Sequence, residues 1–77
     1  MKELIETMAM TLVDEPDSVS VTEVGGMHTS ILALKVYKPD MGKVIGKQGR
    51  TADALRTILS AVSAKLNKRV FLEIVDD

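Results

Sequence analysis

The sequence predicts a single α+β domain with the element order α-β-β-α-α-β. Three observations predict this fold class: a length of 77 residues, apolar spacing that changes between the helical and the strand period, and glycines and prolines where the spacing changes. A content of 45% hydrophobic and 27% charged residues is typical of a globular protein. We therefore expect one domain over residues 1–77.

The first predicted element is an amphipathic helix over residues 2–13. Its apolar residues recur at helical spacing and are Leu4, Ile5, Met8 and Leu12. Pro16 is expected to end the helix, because proline has no backbone N–H to continue the hydrogen-bond ladder.

Three strands are predicted from β-branched and alternating apolar residues. The first two, residues 18–24 and 30–37, are separated by Gly25-Gly26, so they form a hairpin with a short loop. The last strand covers residues 70–75.

Two further helices are predicted between the hairpin and the last strand. A short one covers residues 41–45, with Asp40 as its cap, and a longer one follows Gly49. The long helix is expected to bury an apolar stripe made of Leu55, Ile58, Leu59, Val62 and Leu66. Asn67 suits the left-handed residue that commonly ends a helix.

The candidate binding chemistry is concentrated in the loop Gly46-Lys47-Gln48-Gly49, which joins the two helices. Because glycine has no Cβ, a sugar-phosphate backbone can approach the main chain closely at both ends of this loop. The helix that follows presents unpaired N–H groups and the positive end of its dipole to the same loop. The loop is therefore a predicted phosphate site.

Neighbouring side chains extend this candidate site. Lys43, Lys47 and Arg50 supply positive charge for a polyanion. Val44 and Ile45, with Leu55 nearby, are expected to line a groove where unstacked bases meet aliphatic side chains, although at least one of the pair belongs to the core. The chain has only two aromatic residues, so the groove is expected to be aliphatic.

The charge distribution supports a polyanionic partner although the net charge is −1. Residues 35–69 hold nine basic and two acidic residues, a net +7, whereas residues 1–34 carry −5. Solvated lysines on helices are the alternative explanation for this asymmetry.

With their flanks, these residues resemble a known family. The run Val44-Ile45-Gly46-Lys47-Gln48-Gly49-Arg50-Thr51, between a short and a long helix, is similar to the GXXG hallmark of KH domains, which clamps about four nucleotides. The helix-first order resembles the type II, or prokaryotic, arrangement, and the whole chain resembles the small bacterial single-domain proteins of the KhpA type. Ala52 departs from the isoleucine or leucine that many KH domains have at this position.

The resemblance implies a type II KH fold, with a three-stranded mixed sheet, helices packed on one face and the last strand parallel to the second. It implies that Gly46, Lys47, Gln48 and Gly49 form a clamp for single-stranded RNA. It also implies a bacterial post-transcriptional regulator or RNA chaperone linked to growth, cell shape and division. The expected partner is a second copy or a larger KH-domain protein, which would raise the effective concentration of RNA-binding units.

Two other function classes compete with RNA binding. A phosphate-handling enzyme fails on spacing, because three residues separate Gly42 from Gly46 where a Walker loop needs four, and Gln48 replaces its serine or threonine. A KH-like association module for dimerisation or adaptor contacts, with little RNA binding of its own, stays open.

Other residue types limit the remaining chemistry. The chain has no cysteine and one histidine, His28, so we expect no metal, no cofactor, no small-molecule substrate and no catalytic residue. The acidic amino-terminal residues and the lack of a long apolar run predict a cytoplasmic protein without membrane contact.

Overall fold

The computed structural model describes the backbone of residues 1–76 and the side chains of residues 1–75. Its elements follow the predicted α-β-β-α-α-β order, which confirms the α+β fold class. They are α1 (Lys2–Leu12), β1 (Ser20–Gly25), β2 (Thr29–Val36), α2 (Met41–Ile45), α3 (Arg50–Lys65) and β3 (Arg69–Asp76). Single 3₁₀ turns occupy Pro16–Ser18, Lys38–Asp40 and Lys47–Gly49.

The three strands form one mixed sheet in the order β1-β2-β3. β1 runs antiparallel to β2, with Val21 opposite Leu34, and β3 runs parallel to β2, with Ile74 opposite Leu34. A parallel neighbour cannot be reached by a tight turn, so α2 and α3 make the crossover from β2 to β3. The expected parallel pairing of the last strand with the second is confirmed.

The core lies between one face of the sheet and the helices. Alternate residues of β2 are buried, among them Leu32 and Leu34, and they meet Ile5 of α1 and Leu59 of α3 in one cluster. The other face of the sheet is exposed. Both faces follow from the period of two in β2, which sends successive side chains to opposite sides.

The end of α1 differs from the prediction. The helix ends at Leu12, because Val13 turns into extended backbone with φ −99° and ψ 161° and buries its side chain. Pro16 instead begins a 3₁₀ turn, which delays β1 until Ser20. Pro16 therefore does not end the helix, and the expected strand start at residue 18 is wrong by two residues.

The buried stripe of α3 is rotated from the predicted one. The helix buries Ala52, Leu55, Leu59 and Ser63, whereas Ile58 is 38% exposed. The buried hydroxyl of Ser63 is satisfied within the helix by donating to the Leu59 carbonyl oxygen at 2.6 Å. The predicted stripe is therefore wrong at its exposed members Ile58 and Leu66 and right at Leu55 and Leu59.

The end of α3 matches the prediction for Asn67, whose φ is 54°, a left-handed value that asparagine tolerates well. None of the helices within residues 1–76 has the length and apolar character needed to cross a membrane.

Candidate nucleic-acid interface

The loop from Gly46 to Gly49 connects α2 to α3 and has three positive φ angles. They are 78° at Gly46, 57° at Gln48 and 74° at Gly49. The Gly46 N–H donates to the Gly42 carbonyl oxygen at 2.9 Å and ends α2, and the Gly49 N–H donates to the Gly46 carbonyl oxygen at 3.1 Å and closes the loop. The turn is therefore held by its own backbone.

The two glycines have different surroundings. A Cβ on Gly46 would collide with Thr51, whose own Cβ would lie 2.7 Å away. Apart from Gly49 itself and its neighbours along the chain, no described residue has an atom within 4 Å of the position that a Cβ on Gly49 would take. Position 46 therefore needs glycine for packing as well as for its φ, whereas Gly49 leaves its main chain open to a ligand.

The first turn of α3 faces this opening. Gly49 is the N-cap residue, and among the described residues no side chain caps the N–H groups that follow it. The Arg50 N–H donates to the Lys47 carbonyl oxygen, and the N–H groups that follow it in the first turn of this 16-residue helix, together with the helix dipole, favour a bound anion. The geometry of the loop therefore suits a phosphate group.

Two of the three predicted cations are exposed and available. Neither Lys47 nor Arg50 forms an ion pair with a carboxylate of residues 1–75, and Arg50 makes one long hydrogen bond, 3.4 Å, to the Gln48 side-chain oxygen. Both cations can approach a polyanion without first breaking a salt bridge.

Lys43 has a different environment. Its Nζ lies 3.2 Å from Oδ2 of Asp14 and 3.5 Å from Oδ1 of Asp40. The hydrogen bond and charge of Asp14, followed by the charge of Asp40, raise the pKa of Lys43 above its ordinary value. Lys43 therefore forms ion pairs with two carboxylates.

Asp40 does not cap α2 as expected. Its side chain is buried, and Oδ2 accepts a hydrogen bond from the Glu15 backbone N–H at 3.0 Å while Oδ1 faces Lys43. The capping prediction is wrong because the carboxylate satisfies a donor 25 residues away in the chain instead of the first turn of its own helix. A sequence pattern could not have located this donor.

The predicted apolar groove wall is reduced to one residue. Ile45 is 38% exposed, next to the loop, but Val44 has no exposed surface and Leu55 only 2%. We therefore correct the assignment of Val44, whose side chain belongs to the core and cannot contact a ligand. Leu55 also belongs to the core and reaches the surface only at an apolar pocket that it lines with Thr51 and Ala54.

A second feature of the interface was not predicted. A cavity of about 390 Å³ lies between α3 and the outer edge of β3, lined by Ser60, Ser63, Ala64, Lys68, Arg69, Val70 and Phe71. Arg56 of α3 donates to the Leu72 carbonyl oxygen of β3 at 3.3 Å and spans the same edge. Neither local spacing nor a motif indicated this cavity, because its two walls meet only when α3 packs against β3.

Comparisons with known proteins agree with this geometry. Residues 2–74 match the family model described as KhpA/KhpB, KH domain. The chain is 59% identical to the RNA-binding protein KhpA of Clostridium acetobutylicum. The 75 aligned residues cover 97% of this chain and all of the relative. It is 53% identical to the protein of the same name from Caldanaerobacter subterraneus subsp. tengcongensis, with the same coverage.

A third relative is also similar over nearly the whole chain. The RNA-binding protein KhpA of Aquifex aeolicus is 51% identical over 76 residues, which cover 99% of this chain and 96% of the relative. No solved structure matches the chain with comparable significance.

Proposed function

Because the chain belongs to the KhpA/KhpB family of KH domains, we propose that it binds single-stranded RNA and that the loop from Gly46 to Gly49 is the clamp. The observation that carries the proposal is the open main chain at Gly49, which leads into the uncapped first turn of α3. The names of the relatives support RNA as the polymer.

The phosphate backbone of the RNA binds first in this proposal. A phosphate lies over Gly49 and accepts hydrogen bonds from the N–H groups at the start of α3. Lys47 and Arg50 add the salt-dependent part of the affinity, because their charges are not neutralised by carboxylates of the described residues. Gln48 contributes a hydrogen-bonding amide between them.

Bases bind beyond the phosphates. Ile45 supplies aliphatic surface next to the clamp, and the cavity between α3 and β3 supplies the hydroxyl group of Ser60 and the ammonium group of Lys68. Unstacked bases are recognised at their faces and by hydrogen bonds to their edges, so Ile45 suits the faces and the cavity suits the edges.

The proposed cellular role is post-transcriptional regulation or RNA chaperoning in the bacterial cytoplasm. A single KH clamp contacts about four nucleotides, which is a small footprint. We therefore include a partner in the proposal, a second copy or a larger protein with its own KH domain, which would strengthen binding through effective concentration.

The test compares RNA binding of the wild type with that of the Lys47→Asp, Gln48→Asp variant, using a pool of short fluorescent single-stranded RNAs at several salt concentrations. We expect the wild type to bind and to weaken with salt, and the variant to lose binding while its circular dichroism spectrum stays native. Lys38→Glu with Ser18→Glu is the matched control, because both residues are exposed, lie outside the clamp and the cavity, and change the net charge equally. Equal binding by the clamp variant and the wild type would reject the clamp.

A second candidate function, association through the sheet, has one observation in its favour. Val24, Ile31 and Phe71 lie side by side across the three strands on the open face of the sheet, 65%, 40% and 53% exposed. A contiguous apolar row of this kind is found at protein contacts. Sedimentation of the wild type and of Ile31→Lys distinguishes this candidate, since a dimer built on this row dissociates in the variant.

A further inference from the structure

A group of three charged side chains lies where the connection between α1 and β1 meets the start of α2. Lys43 bridges Asp14, at 3.2 Å, and Asp40, at 3.5 Å. The side chains of Lys43 and Asp14 are partly exposed at 43% and 77%, but that of Asp40 is only 3% exposed. Asp40 also accepts a hydrogen bond from the Glu15 N–H. We call these three side chains, together with the Glu15 N–H, the α2 anchor.

The buried carboxylate of Asp40 depends on its partners. Removing a charged group from water is strongly unfavourable unless hydrogen bonds and an opposite charge compensate. One oxygen of Asp40 is satisfied by the Glu15 N–H, and the other faces Lys43, the cation that pairs with it among the described residues. Without Lys43 the buried carboxylate would keep only the hydrogen bond from the Glu15 N–H and would lose its positive partner.

The α2 anchor is connected to the clamp through α2. This helix has five residues, far too few to be stable by itself, so its position is set by tertiary contacts. Val44 holds one side of it in the core, and Lys43 holds it to Asp40 and Asp14. The Gly46 N–H donates to the Gly42 carbonyl oxygen. The position of the first glycine of the clamp therefore depends on the position of α2.

We propose that Lys43 is a positioning residue of the clamp and makes no contact with phosphate. Its ammonium group neutralises buried Asp40 and joins the connection at Asp14 to α2, which holds the loop from Gly46 to Gly49 in the conformation that binds RNA. This proposal rests on the proposed function for its RNA readout and replaces the expected role of Lys43 as an RNA-contacting cation. Lys47 and Arg50 then supply the phosphate-facing charge.

The RNA readout is the salt dependence of binding to the pool of short fluorescent RNAs. Each phosphate-contacting cation contributes about 0.7 to the slope of log affinity against log salt for single strands. We expect Lys47→Met to reduce the slope by about this amount and Lys43→Met to bind more weakly at every salt concentration with the wild-type slope. A slope reduced by about 0.7 in Lys43→Met would overturn the proposal.

The second readout uses the free protein and does not depend on RNA. In Lys43→Met we expect a lower urea midpoint, amide exchange at Glu15 that is about tenfold faster, and shifted amide resonances from Gly46 to Gly49. Val21→Ala is the control, because it destabilises the core at β1 and should leave those resonances in place. Wild-type exchange at Glu15 and unshifted clamp resonances in Lys43→Met would overturn the proposal.

Two restoring variants complete the test. Lys43→Arg keeps the cation and should retain the wild-type midpoint and clamp resonances. Asp40→Asn combined with Lys43→Met removes the buried charge but keeps an oxygen for the Glu15 N–H, so the midpoint should recover relative to Lys43→Met alone. No recovery in either variant would count against the proposal.

A wild type that binds none of the RNAs at low salt would reject the proposed function, and the free-protein results would still decide the role of Lys43.

Discussion

The side chain of Thr51 occupies the space that a Cβ atom on Gly46 would need. This contact joins the first residue of the clamp to the first turn of α3. It makes the two glycines of the clamp unequal, because the corresponding space at Gly49 is open.

Alanine at the two glycines should therefore give different results. Gly46→Ala combines a left-handed φ with a collision and should lower the free energy of unfolding by roughly 2–5 kcal/mol. Gly49→Ala has only the left-handed φ to accommodate and should cost about 1–2 kcal/mol, but its methyl group covers the open main chain and should weaken RNA binding. Urea unfolding and RNA titration of both variants measure these effects, and equal destabilisation would contradict the assigned role of Thr51.

Gln48 should tolerate only residues that accept a left-handed backbone. Its φ of 57° is readily adopted by asparagine and strongly disfavoured by β-branched residues. We expect Gln48→Asn to keep the wild-type stability within about 0.5 kcal/mol and Gln48→Val to lose roughly 1–3 kcal/mol. Thermal unfolding followed by circular dichroism compares the two, and a Gln48→Val variant as stable as Gln48→Asn would mean that the loop has another conformation.

The pKa of Lys43 should depend on Asp14. Asp14 is the largest cause of its upward shift, so Asp14→Asn should move the pKa of Lys43 back toward the ordinary lysine value. Because the pKa is raised on folding, the stabilisation is complete below the ordinary lysine pKa and is lost only as the pH rises through the raised value. Near neutral pH this contribution should not vary with pH.

An NMR titration of the Lys43 side chain at alkaline pH measures this pKa in both proteins. Lys47→Met serves as the control, because Lys47 forms no ion pair with a described carboxylate and its loss should leave the titration of Lys43 unchanged. An identical Lys43 titration in the wild type and Asp14→Asn would show that the ion pair is not formed in solution.

Two adjacent residues of α3 should differ sharply in their contribution to stability. Leu59 is 1% exposed and Leu59→Ala should cost about 2–5 kcal/mol, enough to unfold so small a domain. Ile58→Ala should cost about 1 kcal/mol or less, because much of that side chain already contacts water. Urea unfolding of both variants checks the rotated stripe of α3, and equal losses would support the stripe predicted from spacing.

The glycines of the loop, the helices on either side and the left-handed Asn67 were predictable, because each depends on the chemistry of residues a few positions apart. The rotated stripe of α3 was harder, because Ser63 is buried with its hydroxyl satisfied inside its own helix and polar residues are not expected in a core. The left-handed backbone of Gln48 had no signal in its residue type.

The sequence by itself determined the element order, the hairpin, the position of the GXXG loop and the concentration of basic residues around it. Only the tertiary structure decided which of those residues are available, because availability depends on partners that are distant in the chain. Asp40 accepts a hydrogen bond from the Glu15 N–H, 25 residues away in the chain. Lys43 pairs with the same carboxylate, so its charge is directed to Asp40 and not to the clamp. Val44 enters the core for the same reason: α2 is too short to hold its position without burying a side chain.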